Sequence, residues 1–146
     1  MMNLDPMIYK DEIHLAIPAK NTHLYVVGTC ITAFLERLEI SPGNEMLIHN
    51  VVLAVHETCV NIIEHAYLDM KGRIMLVFTL FDNPDRFVID IYDNGNRFTL
   101  PEIGQPNIGE IQNRGYGLFL INCLMDLVIY DPGTNQNHWH FEKLLS

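Results

Sequence analysis

The sequence predicts an α+β domain built as a two-layer sandwich, a mixed, mostly antiparallel sheet with helices over one face. Two periodicities and their order carry this expectation. Segments alternating apolar and polar residues read as strands, and segments repeating every three or four residues read as helices. Along the chain they run strand, two helices, hairpin, long loop, helix, hairpin. At 146 residues the chain is expected to be a single domain, 1–146, sharing one core.

Residues 12–17 place Ile13, Leu15 and Ile17 on one side of a strand that Pro18 ends. From Asn21, the spacing of Leu24, Val27, Ile31, Phe34, Leu35 and Leu38 predicts a first helix that stops before the breaker "SPGN" at 41–44. A second helix starts near Asn44 and runs to Gly72. "RIMLVFTLF" and "RFVIDIYD", joined by "DNPD", form a hairpin of strongly apolar strands. Residues 94–114 have little periodicity, and a loop of that length in a compact domain is usually functional, so they form a candidate lid. "GYGLFLINCLMDL" is a helix opened by glycines, and "VIYD", "PGTN" and "QNHWHFEKLL" close the chain as a second hairpin.

Composition narrows the function. The formal net charge of -9 disfavours binding to nucleic acid or to an anionic membrane, since both draw on Lys and Arg. Cys30, Cys59 and Cys123 lie far apart in apolar patterns, as reduced thiols of a cytoplasmic protein do. The start of the chain has no basic region followed by a long apolar run, and "LFLINCLMDLVIY" is broken by Asn122 and Asp126, so neither secretion nor membrane spanning is expected.

The stretch "HETCVNIIEHAY", 56–67, sets the chemistry. At roughly 100° per residue, Glu57, Asn61, Glu64, His65 and Leu68 share one face, with Val52, Val55, Cys59, Ile62 and Ala66 opposite as a core stripe. A carboxylate and an amide oxygen one turn apart suit a proton acceptor beside magnesium, an ion that arrives with phosphates; a solvated helix face gives the same pattern. Zinc does not fit, because the position four residues after His56 is Val60, and His56 and His65 point about half a revolution apart.

Two further stretches matter. Alternation along "RFVIDIYDNG" puts Asp93 at the end of an apolar face, where its carboxylate needs a donor from the following turn or from the exocyclic amine of a bound base. "RGYGLFL" sets glycines and Arg114 before a helix, whose free N–H groups and dipole attract phosphate. It lacks the lysine and hydroxyl of a Walker loop.

In this order, "HETCVNIIEHAY", "DNG" and "RGYGLFLINCLMD" resemble the three boxes of the gyrase, heat-shock chaperone and histidine kinase ATPase superfamily, and its anti-sigma factor serine kinase branch most of all. "HLAIPAKNTHLYVVGTCITAFLERL" is similar to that branch's opening strand and helix. The resemblance implies the Bergerat-type ATP-binding fold with ATP and Mg2+ as cofactors. Glu57 would be the catalytic base for a substrate hydroxyl, Asn61 the magnesium ligand, and Asp93 the partner of the adenine amino group, with Gly95 letting the base lie close. Gly115 and Gly117 would cradle phosphates, Leu118 would belong to the same cofactor-binding set, and Arg114 would approach the terminal phosphate. It further implies a serine or threonine on an anti-sigma factor antagonist as acceptor, a sigma-like factor as second partner, and a homodimer.

One position departs from the superfamily: its "DxGxG" box reads Asp93, Asn94, Gly95, Asn96, Arg97 here, with arginine for the second glycine. A nucleotide-gated binding module that transfers no phosphate is therefore a second reading, and a plain helix-on-sheet interaction domain a third. His138 and His140 share one face of a strand and resemble a metal pair, but are read as a solvated face over a buried Trp139.

Overall fold

The computed structural model describes residues 9–38, 45–66, 72–82, 85–96 and 114–145. The turn residues 83–84, the breaker at 41–44, residues 67–71 and positions 97–113 of the expected lid, Arg97 among them, lie outside the described residues.

The chain runs β1 (Tyr9–Pro18), a 3-10 turn (Asn21–His23), α1 (Leu24–Glu36), α2 (Glu45–Asn61), a π-helical turn (Ile62–Ala66), β2 (Arg73–Phe81), β3 (Arg86–Asp93), α3 (Arg114–Leu124), β4 (Leu127–Pro132) and β5 (Asn137–Leu144). The five strands form one sheet in the order β1-β2-β3-β5-β4, and all four pairings are antiparallel. The sheet is thus more uniformly antiparallel than the mixed sheet expected. The hairpin β4–β5 returns so that β5, not β4, adds to β3, and β4 becomes an edge strand.

Alternation decides the layers. Ile74, Leu76, Phe78 and Leu80 of β2, Phe87, Ile89 and Ile91 of β3, and Trp139 and Phe141 of β5 are buried. They meet Leu24, Val27, Ile31, Phe34 and Leu35 of α1, Val51, Ala54, Val55 and Cys59 of α2, and Leu118 and Ile121 of α3. Each large apolar side chain so buried contributes about 1.5–3 kcal/mol over an exposed one. Phe87 joins the layers, with ring centroids 5.6 Å from Phe34 and 5.9 Å from Phe78.

Within the helical layer α2 packs against both α1 and α3. The stretch Glu45–His65 is long and apolar enough to cross a bilayer by composition alone, with a mean hydropathy of 1.5. In the fold its apolar face lies on the sheet, with Val51, Ala54, Val55, Cys59 and Ile62 fully buried. The core stripe is accordingly wider than expected, and Val52 is half-buried beside α1, where a Cβ on Gly28 would meet its Cγ1 at 3.3 Å.

The second helix is also less regular than its periodicity suggests. Immediately after Asn61 it widens into the π-helical turn, so the 100° step that placed Glu64 and His65 beside Glu57 no longer applies there. Glu64 is exposed, its carboxylate 3.8 Å from His65. Leu68 lies outside the described residues.

Candidate nucleotide site

The site is assembled where three elements end or begin. The first wall is the last turn of α2, which carries half-buried Glu57 and buried Asn61. Facing them is Gly117 in the first turn of α3: a Cβ built there would stand 3.6 Å from Asn61 Nδ2, 3.9 Å from Asn61 Oδ1 and 3.7 Å from Glu57 Oε2. Glycine keeps that space open between a carboxylate, an amide and a helix start whose first N–H groups lack intrahelical acceptors. The side chains of Arg114, Gly115 and Tyr116 are outside the described residues, so the structure gives the backbone of α3 there and not the reach of Arg114. Leu118 follows Gly117 in α3, its side chain buried in the core at 4% exposure.

The second wall is the tip of β3. Asp93 is 2% exposed, and burial pushes its carboxyl above the usual range against the lowering effect of its hydrogen bonds. Oδ1 accepts from the backbone N–H of Gly95 at 2.8 Å and from Asn137 Nδ2 at 3.0 Å. Oδ2 is buried and accepts from no donor among the described residues. A carboxylate oxygen in that condition costs about 1–3 kcal/mol until a donor arrives, and the exocyclic amine of adenine is such a donor. Cys59, wholly buried on α2 between Glu57 and Asn61 in sequence, has its thiol pushed up to about 12, first by burial and then by the negative charge of Asp93. One helix therefore adjoins both the helix start and the strand tip.

Asn137 was not singled out from the sequence. It opens β5 directly opposite Asp93, is 2% exposed, and its Nδ2 also donates to the carbonyl of Gly95 at 3.0 Å. The Asx-type turn after Asp93 is thus clamped from the neighbouring strand. The available signal was an asparagine between the turn "PGTN" and an apolar run, but the register that pairs it with Asp93 is not readable locally.

A cavity of about 410 Å3 borders Asp93, Asn94 and Gln136 together with Ala16, Met75 and Tyr92 of the sheet face away from the helices, and contains neither Glu57, Asn61 nor Gly117. A larger one, about 650 Å3, lies between α1 and α2 along Leu24, Gly28, Val52 and His56. It contains neither Glu57, Asn61 nor Asp93. His138 and His140 are half-buried on the sheet face away from the helices, hydrogen-bonded to Asp90 and not simply solvated, while Trp139 between them is fully buried as expected.

The chain thus sets a helical layer over one face of an antiparallel sheet, with Gly117 at the start of α3 facing Glu57 and Asn61 of α2 and with Asp93 at the tip of β3. The chain belongs to the histidine kinase-like ATPase domain family, which it matches over residues 17–139. Within that family it stands with protein serine/threonine kinases. It is 30% identical over 134 residues to the serine-protein kinase RsbW of Bacillus thuringiensis (strain Al Hakam), covering 84% of this chain and 80% of that one. The RsbW of Bacillus cereus (strain AH820) is equally similar over 133 residues. Among solved structures, the RsbU and RsbW domains of Rv1364c from Mycobacterium tuberculosis share the fold, with a TM-score of 0.68 and 17% identity over 93% of this chain. This chain spans 33% of that solved chain's length. The histidine kinase domain from Erythrobacter litoralis EL346 gives a TM-score of 0.56 at 14% identity, over 88% of this chain and 62% of that one.

Proposed function

We propose that this protein is an ATP-dependent serine/threonine kinase of the anti-sigma factor type, which phosphorylates an anti-sigma factor antagonist and binds a sigma-like factor, so regulating transcription from the cytoplasm as a homodimer. The observation that carries the reading is Gly117 at the start of α3 facing Glu57 and Asn61, with Oδ2 of Asp93 at the tip of β3 buried and without a donor among the described residues. The similarity to serine-protein kinases supports the same reaction.

Asp93 accepts from the adenine amino group, and the Asn137 clamp on Gly95 keeps the backbone low so that the base lies against it. Gly115, Gly117 and the backbone of Leu118 at the start of α3 receive the phosphates, and Arg114 approaches the terminal one. Asn61 would hold Mg2+, which when bound neutralises charge spread over the phosphate oxygens. Glu57 takes the proton of the acceptor hydroxyl as its oxygen bonds to the terminal phosphorus, and the bond from that phosphorus to the bridging oxygen breaks, leaving ADP. Positioning and electrostatics supply most of the rate in such a reaction. Residues 94–114 serve as the lid.

Labelled ATP and magnesium, with a candidate antagonist from a neighbouring reading frame, test this: transfer to serine or threonine is expected, and ATP binding without transfer would reduce the protein to a nucleotide-gated binding module. Arg97, standing where the superfamily has its second glycine, is the one feature that favours that second reading.

A further inference from the structure

On the sheet face that carries no helix among the described residues, the antiparallel register sets Asp90 of β3 directly opposite His140 of β5 and diagonal to His138, which pairs with Tyr92 two positions along. His138 Nε2 and His140 Nδ1 each lie 2.7 Å from the same atom, Oδ1 of Asp90. Nε2 of His140 lies 2.8 Å from Glu142 Oε2, and the ring of Tyr92 stacks on His138 with centroids 4.4 Å apart. We propose that Asp90, His138 and His140 form a site for a first-row divalent transition metal ion such as zinc, distinct from the nucleotide site and its magnesium.

Two imidazoles and a carboxylate are the donor set that selects zinc-like ions over magnesium or calcium. The three ligand atoms already lie within 4.8 Å of one another. Metal–ligand bonds of about 2.0–2.2 Å in a tetrahedron hold ligand atoms about 3.3 Å apart, so an ion needs the 2.7 Å contacts to open by about 0.6 Å. Partly exposed side chains at the sheet surface can make that adjustment. Glu142 completes the arrangement from outside: when it accepts the Nε2–H of His140, Nδ1 is left with its lone pair toward Asp90, the orientation a metal requires. Three protein ligands leave a coordination position open to solvent.

The test is zinc titration of the nucleotide-free full chain by calorimetry, in a Cys123→Ser background that removes the exposed thiol. One zinc per chain is expected. His138→Ala, His140→Ala and Asp90→Asn should each raise Kd at least tenfold, Glu142→Gln about 10- to 100-fold, and His14→Ala on β1 should leave it unchanged. Millimolar magnesium should not compete. Zinc should also protect His138 and His140, and not His14, from diethyl pyrocarbonate in the otherwise unaltered chain, a readout that needs no ligand variant to fold. Zinc binding undiminished in the His138→Ala/His140→Ala variant, no saturable binding, or equal labelling of all three histidines with and without zinc would each overturn the proposal.

Discussion

Asn137 donates one amide nitrogen to both Asp93 Oδ1 and the carbonyl of Gly95, each at 3.0 Å, and so fixes which oxygen of Asp93 stays free. The strand tip is held by two strands: Asn137 of β5 satisfies Oδ1 of Asp93 and leaves the buried Oδ2 as the acceptor that the proposed adenine contact would use.

Asp93→Asn should weaken ATP binding at least tenfold, because a hydrogen bond to a charged acceptor contributes about 1.5–3 kcal/mol. GTP, which presents an acceptor where ATP presents the amine, should bind poorly to the parent protein. Calorimetry with both nucleotides checks this; equal affinity for ATP and GTP would remove Asp93 from its role.

Asn137→Ala should cost about 1–3 kcal/mol of stability by leaving buried acceptors on Asp93 and Gly95 without their donor. ATP affinity should fall with it. Urea unfolding gives the first quantity and nucleotide titration the second.

Gly117→Ala should separate folding from function. Its Cβ would make ordinary contacts at 3.6–3.7 Å and α3 would gain up to about 1 kcal/mol in helix propensity. The methyl group, however, fills the space between α3 and the Glu57–Asn61 pair, so the melting temperature should hold or rise while nucleotide binding drops.

Glu57→Gln should lower phosphoryl transfer by about 10²- to 10⁴-fold, the usual contribution of a general base, with ATP binding nearly unchanged. Single-turnover transfer measured beside equilibrium binding distinguishes the two; parallel losses would mean Glu57 binds the nucleotide instead.

Stability should fall as the solution is made alkaline. His140 is raised from 6.5 to about 9, chiefly by its hydrogen bond to Asp90, with Glu142 adding to the effect. A base whose folded pKa exceeds its unfolded value stabilises fully below the unfolded pKa and loses that stabilisation as pH rises through the folded one. The window is therefore about pH 6.5 to 9. Melting curves in chelator across it should slope downward for the parent and flatten for His140→Gln.

Much of this was legible in the chain. Period-two alternation gave β2 and β3 because their inward residues must be apolar, and helical spacing gave α1 for the same reason. Glu57 and Asn61 were placed on one helix face, and the three boxes named Asp93 and Gly117 in the order the fold uses. The π-helical turn after Asn61 was not legible, since nothing in "NIIEHA" departs from an ordinary helical pattern; packing at the end of α2 decides it.

The sequence by itself determined the fold class, most of the elements and the family, because those depend on side chains a few residues apart. Only the tertiary structure decided that Asn137 braces Asp93 across 44 residues and that His138 and His140 close on Asp90 across 48 and 50. The reason is the return of β5 beside β3: strand register is set by core burial over whole strands, and it alone brings such distant polar groups within 3.0 Å of one another.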